Sequence, residues 1–194
     1  EREAHTIGVQ FGRFAPYHRG HQTITEAIIA RHGKERTLVI IGKTQALTKR
    51  TPFTFEERRA MIHAVYPEIE VIEQPPLLLK DGSTRQDAIN DVLQRIAALQ
   101  KKRGEMFRFY GGSAEDLRGV AHMFPTETIV NRTSGMIPVS GTHVRELLAT
   151  GDDESLLACL DLRVIPLATA AFRRNMERLL AAKNIGDIPS PHRQ

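Results

Sequence analysis

The chain has 194 residues, 27 of them basic and 23 acidic, for a formal net charge of +4. Its composition, 41% hydrophobic and 26% charged, is that of a folded globular chain, and its length fits one domain with a sizeable core. One cysteine excludes an internal disulfide and a cysteine-based zinc site, and no run is apolar enough for a membrane span or a signal sequence, so the expectation is a cytoplasmic protein with no membrane partner.

In chain order, short β-rich runs alternate with amphipathic stretches. TIGVQF (residues 6–11) reads as a buried strand, and HQTITEAIIARH (21–32) as a helix starting near Gly20 or His21. TLVIIG (37–42) is a second buried strand. Thr54 and Glu57 then stand at capping-box spacing ahead of a second helix. EVIEQ (70–74) predicts a third strand. Ser83 and Gln86 predict another capping box, opening a helix that buries Ile89, Leu93, Ile96 and Leu99 on one face. MFRFY (106–110) and ETIVN (127–131) are the last strand candidates, and residues 168–183 read as a closing helix. Strand then helix, repeated, predicts an α/β fold: an open, doubly wound parallel sheet with helices on both faces. The expected organisation is a single domain over residues 1–194, with a core of about 6–160 and C-terminal helices over about 161–185.

The excess of base predicts anionic partners. Its only tight run, Lys101–Lys102–Arg103, falls at a helix end where cations are favoured, which argues against a nucleic-acid surface. In a sheet of this kind ligands bind at the carboxyl ends of the strands, against helix N-termini. GRFAPYHRGHQ (12–22) is the loop that follows the first strand. Gly12 and Gly20 permit close backbone approach, Arg13 adds a permanent cation, and His18 and His21 can both face an anion over the helix start. Neither G-x-x-x-x-G-K-[ST] nor G-x-G-x-x-G occurs, and no cluster of His and Cys offers a zinc site. Far downstream, VSGTHVRELLATGD (139–152) makes Ser140 an N-cap. It exposes the amides of Gly141 and Thr142 and projects Arg145 from the first turn, so that dipole, amides and guanidinium converge on one anion.

GRFAPYHRGH resembles the G-R-F-x-P-x-H-x-G-H signature of archaeal-type nicotinamide-mononucleotide adenylyltransferases, within the nucleotidyltransferase superfamily that carries an H-x-G-H loop. Residues 140–145 are similar to its S-G-T-x-[IV]-R element, and GKTQALTKRTPFTFEER (42–58) to the segment that reads G-S-x-Q, R-x-P-F-T and E-R. The resemblance covers about residues 6–160 and implies a Rossmann-like nucleotidyltransferase fold. It implies transfer of AMP from ATP to nicotinamide mononucleotide, giving NAD and pyrophosphate, with His18, His21 and Arg145 in catalysis. Gly12, Arg13, Phe14, Arg50, Ser140, Gly141 and Thr142 would bind ATP and its phosphates, and Gly111 and Gly112 the adenosine. Mg²⁺ would ride on the ATP phosphates with no metal site of the protein's own, and the enzyme would be a homo-oligomer.

One feature departs from the pattern. Archaeal-type members hold nicotinamide with an Asn and a Trp after the third strand, but this chain has no Trp and offers there Asn90 and several aspartates. The acceptor therefore stays open among nicotinamide mononucleotide, nicotinate mononucleotide, pantetheine phosphate and FMN. A non-catalytic nucleotide- or nucleic-acid-binding protein is the more distant alternative.

Overall fold

The computed structural model describes residues 5–44, 46–76, 80–129 and 139–186. Five parallel strands, β1 (Thr6–Gly12), β2 (Thr37–Ile41), β3 (Glu70–Glu73), β4 (Met106–Gly111) and β5 (Thr126–Thr128), form one sheet in the order β3-β2-β1-β4-β5. Between them run α1 (Arg19–His32), α2 (Phe55–Val65), α3 (Arg85–Arg103) and the short α4 (Ala114–Leu117). After β5 come α5 (Gly141–Thr150), α6 (Asp153–Cys159) and α7 (Ile165–Gly186). The strand order reverses between β1 and β4, so the crevice of a doubly wound sheet opens at the carboxyl end of β1.

Side-chain alternation sorts the core into two layers. Ile7, Val9, Leu38, Ile40, Phe107 and Phe109 face α3 and α4. Val39, Ile41 and Val71 face α2, α5, α6 and α7, whose Met61, Val144, Leu156 and Ala168 pack in the same cluster. Each Ile or Leu fully buried this way contributes about 1.5–3 kcal/mol. Among the described residues, no helix is long and apolar enough to cross a membrane.

Three local expectations shift. The cap of α3 is Thr84, whose Oγ1 accepts from the Asp87 amide, while Asp87 accepts from the Thr84 amide; Ser83 instead donates to the Lys80 carbonyl. Two overlapping capping boxes exist in the sequence, and the one ending in a carboxylate prevails at the positive end of the helix dipole. The fifth strand occupies Thr126–Thr128 rather than 127–131, because Phe109 of β4 pairs with Thr126; residues 130 and 131 lie outside the described residues. The closing helix begins at Ile165, three residues before the expected start.

Candidate active site

His18 is the N-cap of α1 in an unusual form of capping box. Its Nδ1 accepts from the amides of Gly20 (3.1 Å) and His21 (3.4 Å), while His21 Nδ1 accepts from the His18 amide (3.2 Å). The two rings stack with centroids 3.7 Å apart. Because both Nδ1 atoms accept, each neutral ring carries its proton on Nε2. Burial pushes the His18 imidazole down to about 4, and burial followed by the neighbouring His18 pushes His21 well below the ordinary histidine range. At neutral pH both are therefore uncharged imidazoles with one N–H each left to donate.

A chain of hydrogen bonds ties this turn to the sheet. The Tyr17 hydroxyl meets Thr25 Oγ1 (2.7 Å), the Thr25 hydroxyl donates to Gln10 Oε1 (2.5 Å), and Gln10 Nε2 donates to the His21 carbonyl (3.1 Å). Gly20 is required by contact: a Cβ there would stand 2.9 Å from the His18 ring. Phe14 takes a left-handed conformation (φ 51°), sparsely populated by side-chain-bearing residues. Its buried ring packs edge-on against His21 at 4.8 Å.

The second expected element closes over the first. Ser140 caps α5 through the His143 amide (3.1 Å), and Arg145, one turn in, donates to the Ala15 carbonyl (2.8 Å) and to Thr142 Oγ1 (3.3 Å). Arg13, Phe14, Ala15, His18 and His21 from the first loop then line one cavity of about 230 Å³ with Gly141, Thr142 and Arg145 of α5, and with Arg50 from the segment after β2. None of these residues is acidic. Burial and the Arg50 charge lower the Arg13 guanidinium's affinity for its proton, and burial with Arg13 and Arg50 does the same at Arg145. Three mutually repelling guanidiniums facing one polar cavity make it electropositive, an environment whose charge an anion would offset. With no carboxylate in the lining, a divalent ion would enter on the anion's own oxygens, and no group of three or more His, Cys, Asp or Glu among the described residues could hold a metal ion.

Other expected site residues stand elsewhere. Gly12 is outside the cavity lining; its carbonyl accepts from the Gly42 amide at 2.8 Å, and a Cβ there would stand 3.2 Å from the Phe14 ring. Gly111 and Gly112 end β4 outside the cavity lining; at Gly111 a Cβ would meet Leu117 at 2.9 Å, a packing demand of α4. Asn90 faces neither cavity, and its carbonyl oxygen accepts from Gln86 at 3.1 Å. On the α3 side lies a second cavity of about 440 Å³, lined chiefly by Phe11, Ala88, Ile89, Val92, Leu93 and Val120, with Arg85, Asp116 and Gln74. Phe11 and Arg13 flank Gly12, so the two cavities adjoin at the end of β1.

Sequence reasoning missed Arg58. It is fully buried, and its guanidinium donates to the carbonyls of Arg13 (2.8 Å), Gly42 (3.0 Å) and Thr54 (3.2 Å), joining the ends of β1 and β2 to α2. The E-R pair at the end of residues 42–58 was its only signal.

The Cytidylyltransferase-like family model matches residues 9–147, which contain both the histidine loop and the α5 turn. The chain belongs to the cytidylyltransferase-like family. No curated protein matches its sequence. Solved structures with the same fold include a bifunctional NMN adenylyltransferase/ADP ribose pyrophosphatase from Francisella tularensis complexed with AMP and a manganese ion. That alignment has 22% identity and a TM-score of 0.54, and covers 76% of this chain and 42% of the other. A Plasmodium falciparum nicotinic acid mononucleotide adenylyltransferase complexed with NaAD aligns at 15% identity and a TM-score of 0.56, over 87% of this chain and 95% of that one. Thermotoga maritima TmcAL bound with alpha-thio ATP aligns at 12% identity and a TM-score of 0.58, over 87% and 56%. The cytidylyltransferase-like chain thus spans about half or less of the length of several structures it matches.

Proposed function

We propose that this protein transfers AMP from ATP to the phosphate of a pyridine mononucleotide, releasing pyrophosphate. The observation that carries the proposal is the carboxylate-free cavity where Arg13, Arg50 and Arg145 meet His18, His21 and the N-terminus of α5. The AMP, alpha-thio ATP and NaAD in the similar structures are the chemistry such a cavity suits.

ATP, carrying Mg²⁺ as part of the substrate, lays its phosphates among the guanidiniums. The acceptor lies across Gly12 in the larger, apolar cavity, which buries its base. An oxygen of the acceptor phosphate attacks the α-phosphorus, forming one P–O bond while the bond to pyrophosphate breaks. The nucleophile is already an anion, so no protein base is needed, and catalysis consists of in-line positioning and charge stabilisation. Neutral imidazoles suit that role because each gives a fixed N–H without demanding a counter-charge. The resemblance of the histidine loop and the α5 turn favours nicotinamide mononucleotide as the acceptor, with nicotinate mononucleotide its nearest competitor.

A second reading rests on the shape of the apolar cavity. Its lining runs along α3 from Arg85 to Ile96, and the rise of helix between those two residues is about 16 Å, longer than one pyridine ring. An elongated acceptor such as pantetheine phosphate fits that length. Pyrophosphate release, measured with ATP and each of nicotinamide mononucleotide, nicotinate mononucleotide, pantetheine phosphate and FMN, separates the readings. Turnover only with pantetheine phosphate overturns the pyridine assignment, and none with any acceptor overturns the transferase.

A further inference from the structure

The family match ends at residue 147, yet α7 reaches back to the segment that presents Arg50. Asn175 on α7 is fully buried, and its Nδ2 donates to the Pro52 carbonyl (2.8 Å) and to Glu57 Oε1 (2.7 Å), more than a hundred residues away in sequence. Arg174 pairs with the other oxygen of Glu57, and Glu57 completes the capping box with Thr54 at the start of α2. Phe172 of α7 packs on the buried ring of Phe53, centroids 6.4 Å apart.

Arg50 stands in a small closed turn, in which the Thr48 amide donates to the Thr51 carbonyl (3.2 Å) and the Thr51 amide to Thr48 Oγ1 (3.0 Å). Thr51 and Pro52, the base of that turn, are buried. Two hydrogen bonds close the turn on itself, so its height over the cavity follows from where its base is held. That place is the Pro52 carbonyl, and its partner is Asn175. The arrangement is costly, because Asn175 Oδ1 is buried without a hydrogen-bond partner among the described residues. An apolar side chain of the same size would leave the Pro52 carbonyl and Glu57 Oε1 without this donor, so the asparagine answers the turn and the start of α2 rather than helix packing.

We infer that Asn175 is a positioning residue for the nucleotide: through the Pro52 carbonyl it sets Arg50 against the phosphates of ATP. This rests on reading the cationic cavity as the ATP site. The C-terminal helix is thereby part of the nucleotide-binding apparatus, although the family match stops before it.

The experiment is a double-mutant cycle on the full chain, read as the Kd of MgATP by titration calorimetry, which needs no knowledge of the acceptor. Asn175→Leu removes both donated bonds; Asn175→Ser removes them with less risk to folding. Each should weaken MgATP about tenfold in the native background and less than twofold when Arg50 is already alanine. Equal weakening in both backgrounds makes Asn175 a stability residue and overturns the inference, as does unchanged MgATP binding or failure of both variants to fold. If Arg50→Ala alone leaves MgATP binding unchanged, the ATP reading of the cavity falls, and this inference with it. Weakening by Arg50→Ala without weakening by the Asn175 variants removes the positioning role and leaves the ATP site standing.

Discussion

At the scale of single residues, the histidine pair does two things with one ring each. Nδ1 builds the helix start, and Nε2 carries the proton on the side that lines the cavity. The unfolded chain takes up a proton at each imidazole near pH 6.5, whereas folded His18 holds out to about 4. Between those values the unfolded state binds more protons. Stability is therefore full above about pH 6.5 and falls with acidification, by about 1.4 kcal/mol per pH unit for each such group. Chemical denaturation from pH 7 to 4.5 should show this slope, and His18→Asn should remove one group's share of it, leaving that of His21. Catalytically, His21→Ala should lower kcat about a hundredfold, the scale of losing one preorganised donor. His21→Asn, which keeps an acceptor for the cap and an N–H, should retain most of kcat between pH 6 and 8.5. If Asn fails as badly as Ala and the native enzyme shows an ascending limb that His21→Asn abolishes, His21 is a general base instead.

Among the elements, type and buried face were legible in the sequence, boundaries and cap registers only partly so. Thr54 with Glu57 and Ser140 with the α5 turn stand where spacing put them. For α3 the sequence offers Ser83–Gln86 and Thr84–Asp87 one residue apart, and pattern alone does not choose between them. The structure predicts that Thr84→Ala costs about 1 kcal/mol while Ser83→Ala stays within about 0.5 kcal/mol, measured as urea midpoints at constant slope. The reverse order would restore the Ser83 cap. The short β5 has the same origin: a three-residue strand takes its register from β4, not from its own composition.

For the molecule as a whole, the sheet order puts two cavities side by side at the end of β1, one cationic and one apolar. Their separateness is testable. Ala88→Phe should crowd the apolar cavity and raise the acceptor KM about tenfold, the effect of roughly 1–3 kcal/mol of overpacking, with MgATP affinity unchanged. A parallel loss of MgATP affinity would mean that both substrates share one space.

The sequence by itself determined the alternation of strands and helices, the histidine loop, the S-G-T-x-V-R turn and the cations gathered around them. These are local matters, settled by periodicity, capping chemistry and charge within a few residues. Only the tertiary structure decided that Arg145 closes on the Ala15 carbonyl 130 residues away, that buried Arg58 ties together the ends of β1 and β2, and that Asn175 holds the base of the Arg50 turn. It also left Asn90 outside both cavities. Each of these is a contact to a backbone carbonyl or a void between helices. Carbonyls are identical at every position of a sequence and voids appear in none, so neither leaves a mark until the chain is folded.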